Sequence, residues 1–231
     1  MSYKNDVDTT LEELCEAFRF LSQTGCHGFD CSKEGLNIME SWGHKQAPSP
    51  ETLETIRMDL GDCRRCRLSE SRKHIVFGAG DPHARLVFVG EGPGYDEDQK
   101  GEPFIGAAGK LLTKIIEAIK YTRDQVYICN IIKCRPPGNR NPLLDEIEAC
   151  LPFLKRQLAA IKPDVICALG AFAAQALLDT TLPISKLKGR FHEYNGIRVL
   201  PTYHPAYLLR NPGKKRDVWE DMQKLMKALD D

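Results

Sequence analysis

The sequence predicts an α/β fold: a three-layer α/β/α sandwich with a mainly parallel central sheet, plus an N-terminal helical extension. Three observations carry this expectation. Leu86-Val87-Phe88-Val89 is a short, wholly apolar run, as expected of a strand buried on both faces of a parallel sheet. Strand-like and helical stretches then alternate as far as residue 178, which implies βαβ units with helices on both faces. Two β-rich runs over 190–203 flank Asn195-Gly196, a hairpin-turn signal.

The elements follow in order. Residues 8–25 read as an amphipathic helix: Leu11, Leu14, Phe18 and Leu21 share a face, and Gly25 can end it. Ala47-Pro48-Ser49-Pro50 has linker composition. Residues 1–50 are thus expected to be an extension and 51–231 the main domain. A second helical stretch begins at Ser49 or Pro50 and runs through Leu60. After the first strand, Leu111, Leu112, Ile115, Ile116 and Ile119 give helical spacing over 107–119. A strand is expected at 126–132, a helix within 143–161, a strand at 164–169 and a helix at 170–178. The hairpin leads to Thr202-Tyr203-His204-Pro205, and a last helix covers about 217–229.

The chain has 231 residues and zero formal net charge, so nucleic-acid affinity must come from local charge. No stretch reaches the length of a membrane span, and the N-terminus lacks signal-peptide order. A cytoplasmic, monomeric protein is expected. Thiols there stay reduced, so nine cysteines argue for a metal site with spectators.

Cys63 and Cys66 form a C-x2-C pair, and Cys134 and Cys150 a second pair. Four thiolates suit an iron–sulfur cluster or zinc, and spacing does not separate the two. Cys129 and Cys167 read as core. Cys26 and Cys31 are a weak, incidental pair. The second pair brackets the basic loop Lys133-Cys134-Arg135-Pro136-Pro137-Gly138-Asn139-Arg140. Ligands bind at the C-terminal ends of strands in open parallel sheets, and three marked segments fall there. They are Gly90-Glu91-Gly92-Pro93-Gly94, Asn130, and His204. The glycine loop lacks the dinucleotide pattern and a following Gly-Lys-Ser/Thr.

From Cys63 to about Leu229 the chain resembles the family 4 uracil-DNA glycosylases, the iron–sulfur branch of that superfamily. The resemblance rests on C-x2-C-R-L, GEGPG, G-E-P-F-I-G-A-A-G-K-L-L, C-N-I-I-K-C-R-P-P, the later cysteine and H-P-A-Y-L-L-R-N-P. It implies a repair enzyme that flips uracil out of single- or double-stranded DNA and hydrolyses its glycosidic bond, with no lyase step. It also implies a [4Fe–4S] cluster on Cys63, Cys66, Cys134 and Cys150. By the same resemblance Phe104 stacks on uracil, Asn130 reads its edge and His204 hydrogen-bonds O2 of the departing base. Glu91 and the Gly92 backbone are placed at the attacking water; Glu91 could orient it, shape the pocket, or both. Lys133, Arg135, Asn139, Arg140 and Arg210 are expected on the DNA, with Leu208 or Leu209 as the wedge in the gap left by the flipped base. No basic, histidine-bearing loop is inserted after Cys134, which favours turnover over covalent trapping. A non-catalytic binding module would need the cysteines and the basic loop, but not Glu91, Phe104, Asn130 and His204 together. A second rival, another base as substrate, stays open.

Overall fold

The computed structural model describes residues 51–230 and four earlier positions, Glu16, Arg19, Phe20 and Gln23, all helical. The chain divides into two compact units, Met1–Ser49 and Pro50–Asp231. The rest of the helix expected over 8–25, the 47–50 linker, Cys15, Cys26 and Cys31 lie outside the described residues.

The second unit begins with α1 (Leu53–Leu60), where Thr52 Oγ1 accepts from Thr55 N at 3.2 Å as an N-cap. This cap sets the start later than Ser49 or Pro50. Six strands follow in one sheet: β1 (Ala79–Gly80), β2 (Leu86–Gly90), β3 (Tyr127–Asn130), β4 (Val165–Leu169), β5 (His192–Tyr194) and β6 (Ile197–Thr202). Their order is β1-β3-β2-β4-β6-β5. The inner four are parallel and the two edges antiparallel. The helices are α2 (Tyr95–Lys100), α3 (Ala107–Ala118), α4 (Leu144–Ile161), α5 (Ala171–Leu178), α6 (Ile184–Leu187), α7 (Pro205–Arg210) and α8 (Lys215–Asp230).

The inner strands are buried on both faces, which makes three layers. Val87, Val89, Ile166 and Ala168 face α4 and α5 through Leu154, Leu158 and Ala173. Leu86, Phe88, Val165 and Cys167 face α3 and α8 through Leu112, Ile116 and Met222. Successive residues point to opposite faces, so each continuous apolar run feeds both cores. A smaller cluster of Ile56, Leu60, Phe77 and Phe153 binds α1 to α4.

The chain passes from β2 to β3 on one side and then to β4 on the other side of β2. That reversal opens a crevice beyond the carboxyl ends of the strands. Gly90 stands opposite Asn130 there, and Thr202 ends β6 opposite Leu169. β3 is shorter than its apolar run. Ile131 and Ile132 leave the strand, yet their N–H groups still bond to Gly90 O and Glu91 O at 3.0 and 3.2 Å. Those bonds fix the glycine loop against the segment leading to Cys134.

Candidate active site

One cavity of about 490 Å³ lies at this crevice, and Glu91, Gly92, Phe104, Asn130, Asn139 and His204 line it. The three segments singled out at strand ends therefore meet. Asn130, the last residue of β3, is buried. No protein group hydrogen-bonds its Oδ1, the one such buried side-chain atom among the described residues. An orphaned buried acceptor costs about 1–3 kcal/mol, so one at a cavity wall is what a ligand donor would satisfy.

Phe104 is buried with φ of 53°, a left-handed conformation uncommon outside glycine. Its ring lies 5.6 Å from that of His204. Several groups hold this backbone in place. Arg123 donates to Pro103 O at 2.8 Å and Phe104 O at 3.2 Å. Glu97 accepts from Ile105 N, Gly106 N and Gly94 N at 2.9, 3.0 and 3.1 Å. One carboxylate thus ties the GEGPG loop to the Phe104 loop. Gly109 lies so close that a Cβ there would fall 1.9 Å from Phe104 O. At Gly90 a Cβ would meet Asn130 Oδ1 and the Phe104 ring at 2.5 Å each, so only a glycine lets these two cavity-lining side chains sit so close to the end of β2. Glu97 and Arg123 escape sequence reading. Glu97 does carry a signal, an acid three residues after Gly94 at a helix start; Arg123 has none.

His204 caps α7, and its Nδ1 accepts from Ala206 N at 3.1 Å. Nδ1 therefore carries no proton, and Nε2 is the N–H donor of the neutral ring. Burial pushes its pKa down to about 4, helped by the positive charge of Arg210 and opposed by Glu97. The imidazole is neutral at neutral pH. Burial raises the Glu91 pKa above the usual carboxylate value.

Residues 77–223 match the profile of the Uracil DNA glycosylase superfamily. The chain belongs to this superfamily. Its relatives include the type-4 uracil-DNA glycosylase of Archaeoglobus fulgidus, 44% identical over 76% of this chain and 92% of that protein. The type-4 enzyme of Saccharolobus solfataricus is 42% identical over 78% and 87%. That of Thermotoga maritima is 44% identical over 75% and 93%.

Two residues expected on DNA are misplaced for it in this uracil-DNA glycosylase. Lys133 is fully buried, with its ammonium on Asn130 O at 2.7 Å and Gln157 Oε1 at 2.6 Å, so it cannot reach a phosphate. Leu208 is buried in the α3–α8 core, whereas Leu209 is exposed. Helical geometry turns neighbouring residues about 100° apart, so only one of the pair can face outward. Arg210 is exposed and lines the cavity. Arg135 donates to Asn139 Oδ1 at 2.7 Å and lies over the ring of Tyr95, a cavity-lining residue that sequence reading passed over. Arg140 is engaged by the buried Glu146 carboxylate at 2.6 and 2.8 Å.

The four candidate ligand cysteines are free thiols. Arg72 donates to Cys63 O at 2.7 Å and to Cys134 Sγ at 3.7 Å. Lys133 N donates to Cys150 Sγ at 3.2 Å, and Arg65 to Cys63 Sγ at 3.4 Å. Burial pushes the Cys134 thiol up to about 12 and raises Cys150, each raised further by neighbouring cysteines of the set. Among the described residues, no three His, Cys, Asp or Glu converge at the spacing of a single ion. No described helix is long and apolar enough to cross a membrane.

Proposed function

We propose that this uracil-DNA glycosylase flips uracil into the cavity, reads it with Asn130, and hydrolyses its N-glycosidic bond with His204 opposite the water site. The observation that carries the reading is the unpartnered Oδ1 of Asn130 at the cavity wall. Uracil offers N3–H to that oxygen and O4 to the amide N–H. Cytosine presents the reversed pattern and leaves the amide mispaired. Phe104 supplies the stacking face, worth about 1–3 kcal/mol per base. Nε2–H of His204 donates to O2 as negative charge develops there. The test uses DNA with one labelled uracil and no added metal or nucleotide. Alkali-revealed abasic sites at uracil, and none at thymine or cytosine, are expected. Absence of cleavage by cluster-loaded protein sinks the reading.

Glu91 is the group nearest in kind to a water-orienting base, since a carboxylate beside the oxocarbenium-like sugar also stabilises its charge. Its raised pKa puts an acid limb on kcat, because activity falls as the carboxylate is protonated. Glu91→Gln should lower kcat at neutral pH, remove that limb and leave the melting temperature unchanged. An unaltered pH profile in the variant excludes Glu91 from the water step.

Cys63, Cys66, Cys134 and Cys150 would hold a [4Fe–4S] cluster. Free thiols with N–H and guanidinium donors aimed at their sulfurs fit that role. Four thiolates by themselves suit zinc equally; the resemblance to the family 4 enzymes is what favours the cluster. Through these four cysteines it would tie the segment after α1 to the basic loop and α4. Hydrolysis draws no electrons from it.

Of the basic-loop and α7 groups, Arg135, Asn139, Arg210 and the partly exposed Arg140 remain to meet DNA, and Leu209 is the wedge. Leu209→Ala should weaken excision from duplex more than from single strands, without altering stability. Leu208→Ala should instead destabilise the fold by about 2–5 kcal/mol. Denaturant melts beside duplex and single-strand rates distinguish the two, and reversed effects refute the assignment.

A further inference from the structure

We propose that Lys133 is a positioning residue that braces the uracil-reading Asn130 against the cysteine-bearing helix α4. The inference rests on Asn130 being the reader. Lys133 has no exposed surface, and its ammonium donates to Asn130 O at 2.7 Å and to Gln157 Oε1 at 2.6 Å. Gln157 lies on α4, two helical turns beyond Cys150, and its amide donates to Phe77 O at 2.9 Å and Tyr127 Oη at 3.3 Å. The main chain of Lys133 adds two ties, from its N–H to Cys150 Sγ at 3.2 Å and from Val76 N to its carbonyl at 2.8 Å. One residue thus joins α4, the segment before β1 and the reading end of β3.

The choice of side chain is informative. Among the described residues no salt bridge includes Lys133. A buried amine with two acceptors is an expensive way to fill a core, and an apolar chain of that volume would avoid the desolvation. What methionine could not do is hold the Asn130 carbonyl. The Asn130 amide has no protein partner at Oδ1 to orient it. Its aim must then come from its backbone, which is fixed by pairing with Gly90 on one side and by Lys133 on the other.

The test is Lys133→Met in the full-length, cluster-loaded protein, alone and combined with Asn130→Ala. The single variant should retain visible cluster absorption per mole of protein and an unchanged rate of cluster loss to chelator. Its kcat for uracil should fall at least about tenfold, about 1.4 kcal/mol of transition-state stabilisation, with KM little changed. In the Asn130→Ala background the same change should cost less than about twofold. The salt dependence of DNA binding should not move, whereas loss of a phosphate contact would reduce its slope by about one. Equal losses in both backgrounds, full activity, or a reduced salt slope each overturn the proposal. If Lys133→Met does not fold, Gln157→Leu takes its place. It frees the ammonium from α4, and its loss of activity should again vanish in the Asn130→Ala background; equal losses overturn the proposal. Wild-type protein that releases no uracil would refute the reader assignment itself, a distinct outcome that removes this proposal with it.

Discussion

Replacing His204 with alanine should lower kcat on uracil-containing DNA by about 100- to 1,000-fold, the cost of deleting one donor aimed at developing charge. KM should change little, because the neutral substrate has no charge on O2 to reward before the bond breaks. The donor is specified: Ala206 N–H occupies Nδ1, so Nε2 carries the proton. The ring is neutral because burial and Arg210 hold its pKa down to about 4. Activity should therefore show no His204 titration between neutral pH and about 4. Stability behaves differently. An unfolded histidine takes a proton near its model value of 6.5, while the folded one resists until about 4. The unfolded state thus binds more protons in that window, and stability is lost as pH falls through it, by up to about 3 kcal/mol. His204→Ala should remove this component, making the variant less acid-sensitive than the parent. Melts across pH 4–7 and single-turnover rates check both halves. A variant with parental kcat would take His204 out of the chemistry.

The sequence revealed the sheet and the strand-end convergence because each depends on local signals. A wholly apolar run marked β2, helical spacing marked α3, and Asn195-Gly196 marked the β5–β6 turn. Other elements were silent for physical reasons. α2, Tyr-Asp-Glu-Asp-Gln-Lys, has no apolar stripe, and the Gly101 left-handed cap ends it after six residues. β1 is two residues long and has only its pairing to β3 to define it. The misplacing of Lys133 and the open choice between Leu208 and Leu209 share one cause. Charge and the family's wedge position mark the segments, not which way each side chain turns. Only the three-dimensional path shows that Lys133 turns inward to Asn130 and Gln157 and that Leu208 faces α3 and α8. The strained Phe104 backbone, held by Arg123 and Glu97 from distant positions, is equally non-local.

Asn130→Ala should separate function from stability. The amide makes two hydrogen bonds to uracil in the reading above, each worth about 1–3 kcal/mol in a dry site. Their loss should reduce kcat/KM for uracil by at least about 30-fold. The same side chain adds little to the free protein, since no protein group hydrogen-bonds its Oδ1. Its removal breaks no protein hydrogen bond there, and the small void left beside Gly90 and Phe104 adjoins the cavity that Asn130 lines rather than a sealed core. The free variant should therefore melt close to the parental temperature, despite losing a buried side chain. Binding sites are places where stability is given up for a ligand's sake, and this residue makes that statement measurable. Thermal melts without DNA, beside uracil release and competition by free uracil, provide the comparison. A variant that is destabilised yet still excises uracil at the parental rate would show that Asn130 is a structural residue, and the edge-reading assignment would fall with it.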